Sequence, residues 1–224
     1  MCQLTVEISQ GLAEDDWFSS KVLPKLKAKL AFKDVDEDEG SAKPAPAKLI
    51  TFSSNSDVLS DAKVMRWRRT THKYWDAKGA QWLRYDDGIR KYLEEHLLIF
   101  VRADELQEII AQGDSALLDY ISRLKQAAGC SSPPWQIYLM IEGLNDLGKA
   151  GRNAANRAWQ ARASGDLGAK RKKAASAVDM DEIEMEVARL EVVERAFTIR
   201  TSGDKDTADW LFEMSCDISN RPYK

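Results

Sequence analysis

The sequence predicts an α/β protein in which a central sheet is flanked by helices. The strongest indication is the run Leu-Leu-Ile-Phe-Val at residues 97–101, which is typical of a strand buried on both faces. The run leads directly into a segment where Leu106, Ile109 and Ile110 are spaced for one face of a helix. Strand-like and helix-like segments alternate along the rest of the chain, as they do in layered α/β proteins.

The amino-terminal segments predict a strand followed by a helix. Residues 4–8 alternate in polarity, which suits a strand, and Asp15 or Asp16 is suited to cap the helix that follows. Pro24 predicts a kink in that helix or the end of its first turn. The side chains expected to face the sheet from this helix are Trp17, Phe18, Val22, Leu23, Leu26 and Leu30.

A biased segment separates this helix from the next strands. Residues 34–47 are acidic at first and then rich in proline and alanine, and they predict a mobile surface loop. Residues 49–52 predict a short strand after it. Residues 75–85 give no clear pattern, and residues 88–95 predict a loop or a short helix before the central strand.

Residues 64–69 predict a second strand of this region. In an extended chain alternate side chains share a face, so Met65 and Trp67 would lie on one face and Arg66 and Arg68 on the other. Arginines in this place are consistent with two roles, contact with DNA or surface ion pairs.

The carboxyl-terminal half predicts three helices and a strand around a compositional break. Residues 115–128 have leucine and isoleucine at helical spacing, and residues 179–193 begin with acidic residues that favour the helix dipole. Residues 197–199 predict a strand, and residues 207–219 a closing helix. The inner faces of the last two helices would carry Ile183, Val187, Leu190, Val193, Ala208, Leu211, Met214 and Ile218.

The compositional break, residues 145–177, is rich in alanine, glycine and basic residues. Such a tract can grip phosphates, stack Trp159 on an unpaired base, stay disordered in solution, or act as a nuclear-localisation signal through its lysine-rich run. Its basic residues are Lys149, Arg152, Arg157, Arg162, Lys170, Arg171, Lys172 and Lys173.

Composition narrows the class of protein. The 224 residues carry a net charge of −3, so the whole chain lacks the basic excess of an independent DNA-binding protein. Three widely separated cysteines argue against a disulfide framework and predict a reducing, intracellular location. We find no membrane span, signal peptide, Walker loop or zinc-protease motif, and His72 and His96 show no metal spacing.

Several segments resemble the XPF family of DNA endonucleases. Residues 99–106 lie where that family carries its catalytic motif Glu-Arg-Lys-x-x-x-Asp-Leu, which supplies metal-binding carboxylates and a lysine. Residues 133–144 resemble the family's next core strand, and residues 192–209 resemble its last strand and helix. The resemblance spans residues 4–220. Together with residues 65–69, it favours the non-catalytic Eme/Mms-type branch, which pairs with a catalytic Mus-type subunit.

The resemblance implies a restriction-endonuclease-like domain whose catalytic motif is degenerate. Aligning Glu105 with the motif's aspartate puts Ile99, Phe100 and Val101 where glutamate, arginine and lysine belong. Apolar side chains cannot hold Mg²⁺, which needs hard oxygen ligands. The alternative to this resemblance is that residues 97–101 are an ordinary buried strand, which any α/β protein contains.

By the same resemblance, this chain would be one nuclease-like domain, residues 1–224, without catalysis or a cofactor of its own. A Mus-type partner would bind Mg²⁺ and cut 3′ flaps, replication forks and nicked Holliday junctions in DNA repair and recombination in the nucleus. The chain would contact DNA through Arg66, Arg68, Arg69 and the basic residues of the compositional break. The family's tandem helix-hairpin-helix domain is not visible in the sequence.

Two alternatives remain open at this point. In the first, the chain is an active nuclease with a displaced metal site, for which Glu7, Asp104, Glu105 and Glu142 lie near predicted strand ends. In the second, it is an α/β interaction scaffold that does not bind DNA. Solvated or helix-capping roles for the four carboxylates are the simpler interpretation.

Overall fold

The computed structural model describes residues 2–32, 50–55, 62–76, 78–86, 88–130, 135–149, 153, 156 and 180–221. A six-stranded mixed sheet lies between two layers of helices, which confirms the α/β prediction. The strands are β1 (Cys2–Ser9), β2 (Ile50–Asn55), β3 (Val64–Thr71), β4 (Lys73–Asp76), β5 (Gln81–Arg84), β6 (Arg90–Arg102), β7 (Gln136–Glu142) and β8 (Phe197–Thr201). The helices are α1 (Gln10–Ala13), α2 (Leu23–Phe32), α3 (Ala103–Ile110), α4 (Ala116–Ala127), α5 (Met180–Val193) and α6 (Asp204–Asn220), and residues 144–149 are also helical.

The sheet has the strand order β2-β1-β3-β6-β7-β8, and β4 and β5 form a separate hairpin. Strand β3 is antiparallel to both β1 and β6. Strands β6, β7 and β8 are parallel to one another, as β1 and β2 are. The carboxyl ends of β1, β6, β7 and β8 therefore meet at one edge of the sheet, together with the start of β3, and we call this the carboxyl edge.

The predicted central strand contributes side chains to both hydrophobic cores. Its side chains alternate between the two faces of the sheet, as the pleat of a strand requires. Leu97, Ile99 and Val101 pack under α3, α4 and α5, whereas Leu98 and Phe100 pack on the opposite side against α2 and α6. All five side chains are buried, so the prediction of a strand covered on both faces is confirmed.

The helix before the acidic segment begins as predicted and then departs from α-helical geometry. Asp15 accepts a hydrogen bond from the backbone N–H of Phe18 at 2.8 Å, which is the predicted capping role. Residues Phe18–Val22 form a π-helical turn immediately before α2. Pro24 has no N–H to donate to the preceding turn, and the wider turn gives its ring room beside the carbonyl groups.

Two segments differ from the sequence-based expectation. Residues 90–95 are the first half of β6 rather than a loop or short helix, and they pair with β3. Their side chains are largely charged because this half of the strand extends beyond the helix layers. Residues 75–85, where no pattern was evident, lie within the β4–β5 hairpin. Val193, expected to be inward, is exposed.

The remaining predicted elements are confirmed where the structure describes them. The strands at residues 4–8, 49–52 and 197–199 and the helices at 115–128, 179–193 and 207–219 are present, most with slightly different ends. The acidic loop, residues 34–47, lies outside the described residues. None of the described helices combines the length and apolarity needed to span a membrane.

Candidate functional site

The end of β6, where the resemblance predicts the metal site of a nuclease, lies at the carboxyl edge. Strand β6 ends at Arg102, and α3 begins at once with Ala103. Strand β7 ends beside it at Glu142, which is paired in register with Arg102. Lys63 precedes β3 at the same edge, where its carbonyl oxygen accepts a hydrogen bond from the backbone N–H of Phe100 at 2.8 Å.

The three residues predicted to stand in place of the family's catalytic triplet are core residues. Ile99, Phe100 and Val101 are each at most 1% exposed. Phe100 stacks on Trp17, with 5.9 Å between ring centroids, and meets the edge of Phe18 at 5.6 Å. None of these side chains has an oxygen or nitrogen atom that could coordinate a cation. This part of the edge therefore provides no metal ligands.

A lysine occupies the space between the carboxylates beside the triplet. The Nζ atom of Lys63 lies 2.6 Å from Oδ2 of Asp15 and donates a second, short hydrogen bond to Oε1 of Glu105. The Asp15 side chain is almost buried, and those of Lys63 and Glu105 are half-buried. The ammonium group thus supplies positive charge between two carboxylates, the electrostatic role that a bound cation would otherwise have.

The ionisation of this cluster follows from its contacts. Burial alone would raise the pKa of Asp15, but the hydrogen bonds from Lys63 and from the N–H of Phe18 hold that pKa below its ordinary value. Burial alone would lower the pKa of Lys63, yet its bonds to Asp15 and Glu105 raise it. Asp15 and Lys63 are therefore both charged at neutral pH.

Glu105 has a second role in starting α3. Its Oε2 atom accepts a hydrogen bond from the backbone N–H of Arg102 at 3.3 Å, closing a capping box. The guanidinium of Arg102 lies 3.6 Å from Oε1 of Glu105 and 3.3 Å from Oδ2 of Asp104. The two acidic residues that follow the triplet are thus a helix cap and an exposed ion pair.

Glu142 is the remaining carboxylate of the edge. Its Oε1 atom accepts a hydrogen bond from the backbone N–H of Gly203 at 3.2 Å, joining the end of β7 to the start of α6. Burial, with the negative charges of Asp146 and Asp104 nearby, raises the pKa of Glu142 despite that bond and Arg102. Its carboxylate is thus engaged by the start of α6 and lies near two other acidic side chains.

Glu7 lies away from the carboxyl edge. It pairs in register with Arg66, and Arg66 pairs in turn with Leu97, five residues before Arg102 on β6. Its carboxylate is buried and accepts hydrogen bonds from Nε of Arg66 at 2.8 Å and Nε of Arg68 at 2.5 Å. Burial alone would raise the pKa of Glu7, but these two arginines hold it below its ordinary value.

The three arginines of β3 are placed differently from the predicted DNA surface. Arg66 and Arg69 are buried, and Arg69 bonds Glu94 and the carbonyl oxygens of Ile218 and Ser219 at the end of α6. Burial and these pairs leave neither side chain a face toward solvent for a phosphate. Arg68 is partly exposed and shares the carboxylate of Glu7. The structure shows ion pairs for all three, which is one of the two roles predicted for arginines in this strand. Arg66 and Arg69 are buried in these pairs.

The residues of the edge do not fit a divalent metal site. A magnesium ion needs several oxygen ligands that point to one place. Here Asp15 and Glu105 face Lys63, and Glu142 faces the N–H of Gly203. Within the described ranges, no group of three or more histidine, cysteine, aspartate or glutamate residues is arranged to hold a metal. The displaced site proposed for Glu7, Asp104, Glu105 and Glu142 does not assemble, because Glu7 lies apart from the other three.

Only one basic residue of the compositional break can be placed. Lys149 is exposed and forms an ion pair with Asp146 at 3.2 Å. Arg152, Arg157, Arg162, Lys170, Arg171, Lys172 and Lys173 lie outside the described residues, as Trp159 does. The prediction that these residues contact DNA stays a prediction.

The role of Lys63 was not predicted from the sequence. The lysine directly precedes a predicted strand, which places it at a strand end, but its partners are 48 and 42 residues away along the chain. Of the two histidines, His72 is exposed, whereas His96 is buried, with Arg221 at 2.9 Å and the hydroxyl of Tyr138 at 3.5 Å.

The chain belongs to the ERCC4 domain family, that of the XPF-type nucleases. The model of that domain matches residues 56–214, more than two thirds of the chain, and includes β3, β6, β7, β8 and the whole carboxyl edge except β1 and Asp15. The match agrees with the restriction-endonuclease-like arrangement of a mixed central sheet between helices. A search of curated proteins found no match to this chain.

Proposed function

We propose that this chain is the non-catalytic subunit of a heterodimeric structure-specific DNA endonuclease. One observation carries the proposal: at the strand end where an XPF-type nuclease would bind its metal, the side chains are buried and apolar, and Asp15 and Glu105 beside them both bind Lys63. Hydrolysis of a phosphodiester with Mg²⁺ needs free oxygen ligands in that place. The chain would therefore depend on a second polypeptide for the chemistry.

An apolar surface supports the presence of a partner. The inner face of α5 carries the buried Ile183, Val187 and Leu190, while Met185, Val192 and Val193 are exposed on the same helix. A helix with apolar residues beyond the stripe that faces its own core is typical of an interface. Val192 is 80% exposed, far more than a valine in a packed position.

Two further exposed aromatic residues, Phe197 and Trp210, lie at the edge of the sheet. Phe197 begins β8, the outermost strand of the described sheet on this side, and is 57% exposed. Trp210 projects from α6 on the other side of that strand and is also exposed. A groove of about 1170 Å³ runs beside them, with Tyr138 and Met214 in its wall. We call Met185, Val192, Val193, Phe197 and Trp210 the partner surface.

The proposed partner is a catalytic Mus-type subunit that binds Mg²⁺. Together the two chains would cut 3′ flaps, replication forks and nicked Holliday junctions during DNA repair and recombination in the nucleus. Members of the ERCC4 family commonly act as DNA-binding heterodimers, which supports this arrangement. The present chain would position the branched DNA and stabilise its partner, and the basic residues of the compositional break would add phosphate contacts.

Co-expression with a catalytic Mus-type subunit tests the partner and the division of labour together. We expect the two chains to co-purify and to cleave a labelled 3′-flap substrate with Mg²⁺, whereas this chain alone gives no cleavage with Mg²⁺ or Mn²⁺. Substituting the partner's metal ligands should abolish cleavage by the complex.

Cleavage by the isolated chain would contradict the proposal if it were abolished by Asp104→Ala or Glu105→Ala. The matched control is Asp146→Ala, which removes an exposed carboxylate of the same edge that takes part only in a surface pair with Lys149. Activity that survives all three substitutions equally would indicate a contaminating nuclease rather than this chain.

A further inference from the structure

A basic hairpin projects from the end of the sheet opposite the carboxyl edge. Strands β4 and β5 pair antiparallel from Lys73↔Arg84 to Asp76↔Gln81 and leave the main sheet where β3 ends. The carboxylate of Asp76 accepts hydrogen bonds from the N–H groups of Lys78 and Gly79, at 3.0 and 3.1 Å, and so fixes the turn. We call β4, β5 and their turn the basic hairpin.

Four cations of this region are exposed. Lys73, Lys78 and Arg84 on the hairpin, and Lys91 on the adjoining start of β6, are all exposed. Within the part of the chain that the structure describes, none of these four forms an ion pair, in contrast to the arginines of β3. Residues 73–91 hold five lysines and arginines against three aspartates, in a chain whose net charge is −3.

Two of these cations face each other across the hairpin. Lys73 and Arg84 are direct cross-strand partners, and like charges in that relation destabilise a two-stranded ribbon. An isolated hairpin is only marginally stable, so an unfavourable pair is costly there. An anionic ligand lying over both side chains would convert this repulsion into two favourable contacts.

Aromatic rings join the hairpin to the main sheet. The rings of Tyr74 and Tyr85 lie 4.9 Å apart, and the guanidinium of Arg90, at the start of β6, lies 4.4 Å from the centre of Tyr85. The backbone N–H of Tyr85 also donates to the carbonyl oxygen of His72 at 3.2 Å. The stack holds the cations at a fixed place on the fold, and Tyr74 is partly exposed beside them.

We propose that the basic hairpin binds the phosphate backbone of a DNA arm, through Lys73, Lys78, Arg84 and Lys91. The inference rests on the proposed function only in taking DNA as the ligand, and it assigns a contact site to described residues outside the compositional break. Lysine and arginine on an exposed ribbon make sequence-independent phosphate contacts, as positioning of a branched substrate requires.

The position of the hairpin gives the contact a place on the substrate. Strand β6 runs from Arg90, beside the hairpin, to Arg102 at the carboxyl edge. At about 3.3 Å per residue its 13 residues span about 40 Å. That length corresponds to roughly 12 base pairs at about 3.4 Å each. The hairpin would therefore hold a duplex arm about one helical turn away from any branch point seated at the carboxyl edge.

The test compares two variants with the same change in net charge. One replaces Lys73, Lys78, Arg84 and Lys91 by glutamine. The other replaces four exposed lysines and arginines on other elements, namely Lys21, Lys27, Arg123 and Lys205. Binding of the purified full chain to a fluorescein-labelled 40-base-pair duplex is measured by anisotropy at several salt concentrations.

We expect the hairpin variant to bind at least about ten-fold more weakly at low salt, and the slope of log K against log salt to fall by about 3 to 4, near 0.9 per lost phosphate contact. The control variant should keep the slope of the unmodified chain. Equal losses in both variants, no loss in the hairpin variant, or no DNA binding by the unmodified chain would each overturn the proposal.

A second variant separates loss of DNA contact from loss of the fold. Arg84→Glu turns the repulsive pair with Lys73 into an attractive one, so its melting temperature should be equal to or above that of the unmodified chain, while its DNA affinity falls. DNA affinity that is unchanged in Arg84→Glu would contradict the inference. These results do not depend on whether the chain cleaves DNA, so they stand apart from the test of the proposed function.

Discussion

Lys63 organises the carboxyl edge more than any other single residue. It joins Asp15, which caps the helical turn before α2, to Glu105 at the start of α3, while its backbone is bonded to β6. Removing one member of a largely buried charged group leaves the others desolvated without compensation. The stability of the edge should therefore be sensitive to this one side chain.

We predict that Lys63→Met lowers the free energy of unfolding by about 1–3 kcal/mol, because Asp15 and Glu105 lose their common donor. Urea denaturation measures the difference. The matched control is Lys25→Met, which removes a pair with Asp204 that is exposed on both sides and should change the free energy of unfolding by about 0.5 kcal/mol or less. Similar effects of the two substitutions would show that the Lys63 cluster is no more than a surface pair.

The same cluster predicts a dependence of stability on pH. The folded-state pKa of Asp15 lies below its unfolded value of 3.8, so its contribution is complete above that pH and is lost as the pH falls through the folded pKa. The folded-state pKa of Lys63 lies above 10.5, so its contribution is lost as the pH rises through that raised value. The stability difference between the unmodified chain and Lys63→Met should be constant from about pH 5 to 9 and shrink on either side. Urea midpoints across pH 3–11 test this, and a difference that grows in acid would refute it.

The partners of charged residues could not be predicted from the sequence, whereas the burial of apolar residues could. The burial of residues 99–101 was predictable because all three side chains are apolar. The partners of Arg66 and Arg69 were not, since Glu7 lies 59 residues from the first and Ile218 lies 149 residues from the second. A charged side chain in a strand looks the same in sequence whether it meets solvent or a buried carboxylate.

Among the elements, β3 is joined to α6 by a polar contact inside a hydrophobic core. The indole N–H of Trp67 donates to the hydroxyl of Ser215 at 3.0 Å, and that hydroxyl donates in turn to the carbonyl oxygen of Leu211. Both Trp67 and Ser215 are fully buried. A buried indole N–H without an acceptor carries its full desolvation cost.

We predict that Ser215→Ala destabilises the protein by about 1–3 kcal/mol, because the N–H of Trp67 is left without an acceptor. The control is Ser219→Ala on the same helix, whose hydroxyl bonds only the carbonyl oxygen of Cys216 and which should cost about 0.5 kcal/mol or less. Thermal melting of the three proteins gives the comparison. A loss in Ser219→Ala as large as that in Ser215→Ala would point to helix propensity instead of the indole contact.

The elements that sequence predicted well are those covered by helices. Helix α3 was predictable because Leu106 and Ile110 repeat at the helical period over a core. The first half of β6 and the hairpin were not, because they extend beyond the helices and carry no apolar periodicity. The hairpin turn is formed with Asp76 and with Ala80, which has a positive φ. It lacks the Asn-Gly pair from which a hairpin turn is usually predicted.

For the molecule as a whole, the partner surface predicts where the proposed catalytic subunit would bind. We expect Val192→Asp and Phe197→Asp each to weaken co-purification with the catalytic subunit by at least about ten-fold, since each places a charge in an apolar contact. Val192→Asp should leave the melting temperature of the isolated chain unchanged, because that side chain is 80% exposed. Phe197→Asp should lower it slightly, because the ring of Phe197 stacks on Tyr138 with 5.9 Å between centroids.

The control for this prediction is Ile89→Asp. Ile89 is 54% exposed, close to the exposure of Phe197, but it lies beside the start of β6 and outside the partner surface. Pull-down from a co-expressing culture, with the partner quantified against a dilution series, compares the three variants. Equal loss in all three would assign the effect to added charge and not to the place where it is added.

The burial of residues 99–101 also bears on how such a chain can change over generations. Ile99 and Val101 lie in one hydrophobic layer and Phe100 in the other, so any ionised substitute would face hydrocarbon whichever way it pointed. An unpaired ion there costs several kcal/mol, a large share of the roughly 5–15 kcal/mol that keeps a domain folded. A single substitution that introduces a charged side chain at one of these positions should therefore destabilise the fold by several kcal/mol, so a metal ligand there would require compensating changes in the surrounding core.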